Sequence, residues 1–312
     1  MSEIKVILLC GSRFALPTMQ EMYFFKQLAV IAIPAYAKEM VEETQALMAG
    51  SSIPIVTLKK ESYAEELTDC IDKYAVNTGL IMTFPYTIPA PIYSLAEKGF
   101  YNVHPGPLPE YRGADPVFQQ IKNKESKAGV TIHKLDEKLD TGGIVLKEMI
   151  RLDKTDTYGL LTAKLAQTAA LMVRTILKLV SMDMTVHSKP QDETKARYFK
   201  RQSAKDITVD WDNMDAATIV ALINACNPWN KGAVTKLNGK IIRLIEGEPI
   251  SEAVSSGILP GTIVNIDEQG LNIATNGGGS IRVQVVYTDE GFFTAERLRQ
   301  LGVRPGIKFE SI

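Results

Sequence analysis

Asn102 and His104 stand two residues apart in the stretch YNVHPGPLPEYRGADP, 101–116. Tyr101 and Val103 alternate with them as apolar residues, the pattern of a strand with one polar face. Pro105-Gly106-Pro107 then breaks that strand, because proline cannot donate to a ladder. Both polar side chains therefore lie on one face at the carboxyl end of a strand, where open α/β sheets place their ligand crevice. An amide N–H and an imidazole side by side are able to stabilise a developing oxyanion and to move a proton. The stiff loop 105–109 has little backbone freedom left to lose and would serve as a wall for a flat ligand.

The stretch around these two residues resembles the signature of the folate-dependent formyltransferases. The resemblance lies in Asn102-Val103-His104, in Leu108-Pro109-Glu110-Tyr111-Arg112-Gly113-Ala114, and in a second motif made of 129–133 (GVTIH) and 139–143 (LDTGG). Taken alone, Asp140 to Gly143 reads as an ordinary turn. The resemblance implies instead that the family's catalytic Asn, His and Asp fall on Asn102, His104 and Asp140. It implies 10-formyltetrahydrofolate as the formyl donor, used without a metal. Asp140 would orient His104, favour its charged form and help take the proton lost by the attacking amine. One departure is visible: Gly106-Pro107 stands where the family usually has Ser-Leu, in the wall of the folate site.

The elements that must position these residues are those of an α/β chain. Residues 5–10 and 29–33 read as buried parallel strands, 53–58 and 79–84 as two more, and 16–28, 34–49 and 63–74 supply the helices between them. Gly11-Ser12-Arg13 follows the first strand but lacks the later glycines of a dinucleotide fingerprint, so it reads as a strand-to-helix turn. Gly11, Ser12 and Arg13 are assigned to the acceptor side. Tyr86, Thr87 and Ile88, between Pro85 and Pro89, sit at the end of the fourth strand, where the family's pterin contact falls. The folate-binding set is completed by Gly106, Pro107, Leu108 and Pro109 and by Asp136, Glu137, Lys138 and Leu139. Residues 128–135 and 143–150 read as paired strands. His133 on the first of them reads as a structural histidine without a chemical role. A helix over 157–180 closes the first domain.

The expected organisation is a Rossmann-like formyltransferase domain over 1–188, a polar linker over 189–205, and a small domain over 206–312. The last part has five short strand-like runs separated by Gly-rich turns, which suggests an OB-like β-barrel. Its segments 207–211 and 227–229 (NPW) are similar to the C-terminal domain of the methionyl-tRNA branch of the family. With 45% hydrophobic and 23% charged residues and a net charge of −1, the chain has no global electrostatic signature of a nucleic-acid binder. Cys10, Cys70 and Cys226 have no paired spacing, which reads as reduced thiols and a cytoplasmic location. No signal peptide and no run of membrane-spanning length is read in it.

The acceptor amine divides the readings. Methionyl-tRNA is favoured by the C-terminal resemblance. Against it, the segment after the second strand, 34–39 (PAYAKE), is short and nearly neutral where the tRNA enzymes carry a long basic loop. Amino-sugar nucleotides are the other acceptor class. A formyltetrahydrofolate hydrolase and a catalytically dead binding module are rivals of other classes.

Overall fold

The computed structural model describes residues 3–250 and 254–311. In chain order it begins with β1 (Val6–Cys10), α1 (Leu16–Phe24), β2 (Leu28–Pro34), α2 (Lys38–Leu47), β3 (Ile55–Leu58), α3 (Tyr63–Lys73), β4 (Thr78–Met82), α4 (Ala90–Tyr93) and β5 (Phe100–His104). Next come β6 (Arg112–Gly113), α5 (Pro116–Lys122), β7 (Lys127–Lys134), β8 (Ile144–Arg151), α6 (Tyr158–Ser181) and β9 (Tyr198–Phe199). The remainder holds α7 (Ala216–Ala225), β10 (Ala233–Leu237), β11 (Lys240–Ile250), β12 (Ile263–Asp267), β13 (Gly270–Ala274), β14 (Ser280–Thr288), β15 (Gly291–Thr294) and β16 (Phe309–Glu310).

Two compact units result, and they are not simply consecutive. The first is Met1–Ala114, Ala128–Ile150 and Thr162–Phe199; the second is Asp115–Lys127, Arg151–Leu161 and Lys200–Ile312. The first unit carries a 7-stranded sheet in the order β3-β2-β1-β4-β5-β7-β8. Strands β1 to β5 run parallel, and β7 lies antiparallel on β5. Every residue of β1 and of β4 is buried, as expected where helices cover both faces of a parallel sheet. One of its cores joins Ile7, Leu9, Val30 and Ile81 from the sheet to Leu67 and Ile71 of α3.

Helix α6 corrects one expectation. It is 24 residues long and apolar enough, by length and composition, to cross a membrane. Half of its apolar window is nevertheless buried in the protein, through residues such as Leu165, Ala169, Val173, Ile176 and Leu177. That is the pattern of a core helix.

In the second unit the antiparallel sheet is 7-stranded and runs β12-β13-β14-β11-β10-β16, with β15 added on β14. It curls until its edges meet: Thr262 bridges Lys308, and Phe309 N–H donates to Gly261 O at 2.8 Å. Trp211 is fully buried there, stacked on Phe309 with its indole N–H donated to Thr235 Oγ1 at 2.9 Å. Five of these strands are legible as short apolar runs between turns; β15 and β16 are not, because β16 is only two residues held by its partners.

The segment expected as a linker is divided. Lys189 exchanges two backbone hydrogen bonds with Ile144, both 2.8 Å, and β9 pairs in parallel with β6. Residues 189–199 thus belong to the first unit, whereas Lys200 and Arg201 are exposed. Limited trypsin digestion is expected to cut first after Lys200 or Arg201, leaving Lys189 and Lys195 intact at that stage. A first cut at Lys189 would contradict the tethering of this segment.

Candidate active site

Strand β5 ends at His104 because Pro105 cannot extend it, and the chain turns back through a loop that Thr131 of β7 holds. The Thr131 hydroxyl accepts from Leu108 N–H at 3.0 Å and donates to Gly106 O at 2.8 Å. Lys147 of β8 donates to Leu108 O at 2.9 Å. The loop is thereby fixed from two neighbouring strands, and Tyr111 is returned to the strand's end.

That return sets the state of His104. Its Nε2 lies 2.6 Å from the carbonyl oxygen of Tyr111, which can only accept. Nε2 therefore carries a hydrogen, and Nδ1 is the nitrogen left to gain or lose a proton. Nδ1 faces Asp140 Oδ1 at 3.7 Å, with both side chains almost wholly buried.

Asp140 itself sits at φ +59°, in the left-handed region. Its Oδ2 accepts from Gly113 N–H at 2.8 Å. The turn needs its glycine as well: a Cβ on Gly142 would stand 1.8 Å from Lys134 O, closer than atoms can approach. Gly113 is equally constrained, at φ +94° and with Phe199 O 2.2 Å from where a Cβ would be.

The register of β5 on β7 puts Asn102 directly opposite His133. His133 Nδ1 lies 2.8 Å from Lys134 O, so Nδ1 carries the hydrogen and Nε2 is the acceptor. Asn102 Nδ2 donates to that Nε2 at 3.1 Å. This decides which end of the amide is nitrogen and leaves Asn102 a second N–H to offer. His133 Nε2 is also 3.8 Å from Asp140 Oδ1. Burial, and after it the neighbouring His104, push the protonation of His133 down to about 4. His133 is thus a neutral member of the cluster. A lone strand histidine gives no such signal in sequence; only its cross-strand position relative to Asn102 reveals it.

The three residues predicted to act together, Asn102, His104 and Asp140, are brought together. Others are placed differently. Ile88 lies in the hydrophobic core and Leu108 is fully buried, so neither offers its side chain as a surface for a ligand. Gly106, Pro107 and Pro109 are buried too, whereas Thr87, Asp136, Glu137, Lys138 and Leu139 are exposed. Tyr86 packs on Tyr63 and Phe84, and Tyr63 donates its hydroxyl hydrogen to Thr87 O at 2.8 Å. Gly11, Ser12 and Arg13 follow β1, where Ser12 bonds Thr83 across the 2.8 Å gap between the two hydroxyls. Arg13 is engaged by Glu43 through its Nε at 2.7 Å. Cys10, Cys70 and Cys226 are free and buried, and burial pushes the Cys10 thiol up to about 12. Among the described residues, no group of His, Cys, Asp and Glu is arranged to hold a metal ion.

Two family models match the chain, formyl transferase over residues 26–176 and the formyl transferase C-terminal domain over 202–291. The methionyl-tRNA formyltransferase of Lachnospira eligens is 31% identical over 224 residues, covering 70% of this chain and 69% of the relative. This chain belongs to the formyl transferase family. The methionyl-tRNA formyltransferase of Ralstonia pickettii is 27% identical over 257 residues, covering 82% of this chain and 77% of that protein. Among solved structures, the Helicobacter canadensis N-formyltransferase in complex with folinic acid and dTDP-3-aminofucose aligns with a TM-score of 0.68 at 17% identity, over 90% of this chain and 98% of its own. Aquifex aeolicus HypX in complex with tetrahydrofolic acid aligns with a TM-score of 0.67 at 17% identity over 96% of this chain. The chain spans about half of HypX, 47% of its length.

The neutral state of His133 has a consequence for stability. Between its folded value of about 4 and the ordinary 6.5, the unfolded chain holds a proton on this side chain that the folded chain does not. Stability therefore falls as pH falls through that window, by up to about 1.4 kcal/mol per pH unit from this residue. His133→Gln should flatten the dependence, as measured by urea unfolding at pH 4.5, 5.5 and 7. An unchanged slope would show that His133 is not a buried neutral group.

Proposed function

We propose that this formyl transferase moves the formyl group of 10-formyltetrahydrofolate to a primary amine. The observation that carries the reading is the convergence of Asn102, His104 and Asp140 at the carboxyl end of β5. It is supported by both family models and by structural neighbours solved in complex with folates.

In this reading a neutral amine attacks the formyl carbon. The carbonyl oxygen becomes an oxyanion and the new nitrogen becomes cationic. Asn102 offers its second amide N–H to that oxygen. His104 carrying a proton on Nδ1 offers a second donor, with Asp140 beside it at 3.7 Å. Asp140 takes the proton that the amine must lose. The carbon–N10 bond then breaks, and N10 of tetrahydrofolate receives a proton from His104. Asp140 then returns the amine's proton to His104 Nδ1, which faces its Oδ1 at 3.7 Å, so both side chains end as they began.

The donor would lie against the loop after β4, at Tyr86, Thr87 and the backbone of Ile88, against backbone of 106–109, and against 136–140. Folate hydrolysis is not favoured by any of the relatives. The catalytic domain thus spans the α/β sheet, and the curled sheet of the second unit is read as an OB-like barrel, supported by the bridge between Thr262 and Lys308.

The acceptor is methionyl-tRNA on the strength of the relatives' names. One observation favours an amino-sugar nucleotide instead. Strand β2 ends at Pro34 and α2 starts at Lys38, so only Ala35, Tyr36 and Ala37 connect them, with no cation to meet a phosphate backbone. Transfer assayed in parallel with methionyl-tRNA and with amino-sugar nucleotides decides between them. Formyl-folate loss independent of any added amine would overturn the transferase reading itself.

His104→Ala is expected to lower kcat and kcat/KM together by roughly 10²–10³-fold, with folate affinity nearly unchanged, because the lost donor acts on the intermediate. Asp140→Asn keeps the shape and removes the charge. Its kcat should fall with the folate KM near that of wild type, because the carboxylate acts on the amine's proton and not on the bound donor. An unchanged kcat would leave Asp140 as a loop-shaping residue only.

A further inference from the structure

Gln191, in the segment between α6 and β9, joins two groups that sequence reading does not connect. Its Oε1 accepts from Arg112 Nε at 3.1 Å and Nη2 at 2.8 Å. Its Nε2 donates to Asp140 O and Gly142 O, both at 2.8 Å. The amide can face only one way, because guanidinium offers donors alone and the two carbonyls offer acceptors alone.

Arg112 is a rigid anchor. Only 1% of it is exposed, and its guanidinium also reaches both carboxylate oxygens of Glu193, at 2.6 and 2.9 Å, and Tyr198 OH at 2.9 Å. The backbone on either side is tied to the same segment: Arg112 N–H donates to Arg197 O at 2.9 Å, and Arg197 N–H to Pro109 O at 3.2 Å. Residue 140 meanwhile occupies a backbone conformation that an aspartate adopts only when its surroundings hold it there. The two carbonyls that Gln191 binds bracket that turn.

We propose that Gln191, anchored on Arg112, is a positioning residue for Asp140: it holds the 140–142 backbone so that the carboxylate meets both Gly113 N–H and the imidazole of His104. The inference rests on the formyl-transfer reading for its kinetic consequence, but not for its structural one. Gln191 touches no reacting atom; it acts through the turn.

Gln191→Glu separates positioning from anchoring. A glutamate keeps an acceptor for Arg112, so the segment stays attached, but it presents oxygen to the carbonyls of Asp140 and Gly142 and loses both donors. Gln191→Met, apolar and of similar length, is the second variant should the glutamate fold poorly. Two readouts on the full chain test the idea. In amide hydrogen exchange, Gly113 N–H should exchange roughly tenfold faster or more in either variant, while Leu108 N–H, held by Thr131, stays protected. In the transfer assay, kcat should fall roughly 10–100-fold with the folate KM within about threefold of wild type. Unchanged Gly113 protection overturns the positioning role, and so does unchanged kcat in an active enzyme. If wild type transfers formyl to no amine, the functional reading fails, and the exchange measurement still judges the positioning of Asp140.

Discussion

A carboxylate only 6% exposed is the constraint on which the rest of the first unit's irregular structure depends. Burying an unpaired charge costs several kcal/mol, so a folded state containing Asp140 must supply donors or opposite charge within reach. The chain does so from two directions. Gly113 supplies a backbone N–H, and β5 supplies His104, whose Nδ1 faces the carboxylate. The first of these is available only because the loop from Pro105 doubles back as far as Gly113, and that loop is held in turn by Thr131 and Lys147. The stiff prolines of the motif, the tolerance of Gly113 for a positive φ, and the left-handed turn at Asp140 are consequences of a single requirement.

Two histidines beside one carboxylate are given different tasks by their hydrogen-bond partners. Both donate to a backbone carbonyl, but through opposite ring nitrogens: Nε2 in His104 and Nδ1 in His133. The nitrogen left over in His133 is occupied by an amide hydrogen of Asn102 and stays unprotonated. The nitrogen left over in His104 faces Asp140. One ring is thus a fixed acceptor that orients a donor, and the other turns its remaining nitrogen to the carboxylate. Burial pushes His133 strongly in the direction this division requires, and the proximity of a second imidazole pushes it further.

How much of this was legible in the sequence depends on how local its cause is. Asn102 and His104 are readable because a period of two and a following proline are local facts. The alternation of strands and helices was readable for the same reason, with ends displaced by a residue or two: α1 stops at Phe24 because Lys26 turns into the left-handed region. His133 reads only as a structural histidine, because its significance lies in a cross-strand register, which no local pattern encodes. Gln191 was lost in a polar stretch that reads as a linker, since its bonds run to Arg112, Asp140 and Gly142, far away in sequence. The same nonlocality broke the expected domain boundary. Residues 115–127 and 151–161 belong with the C-terminal part of the chain, a grouping decided by packing and not by order.

Geometry carries the chemistry one step further. Formyl transfer takes a proton from the attacking amine and gives one to N10, so a proton acceptor and a proton donor must stand within reach of each other. His104 Nδ1 and Asp140 Oδ1 face one another at 3.7 Å, with both side chains almost wholly buried. His133 Nε2 lies at a similar distance from the same carboxylate oxygen, but burial and the adjacent imidazole hold that ring neutral. One histidine is thus left beside the carboxylate for the exchange, and the other fixes the amide that would meet the oxyanion.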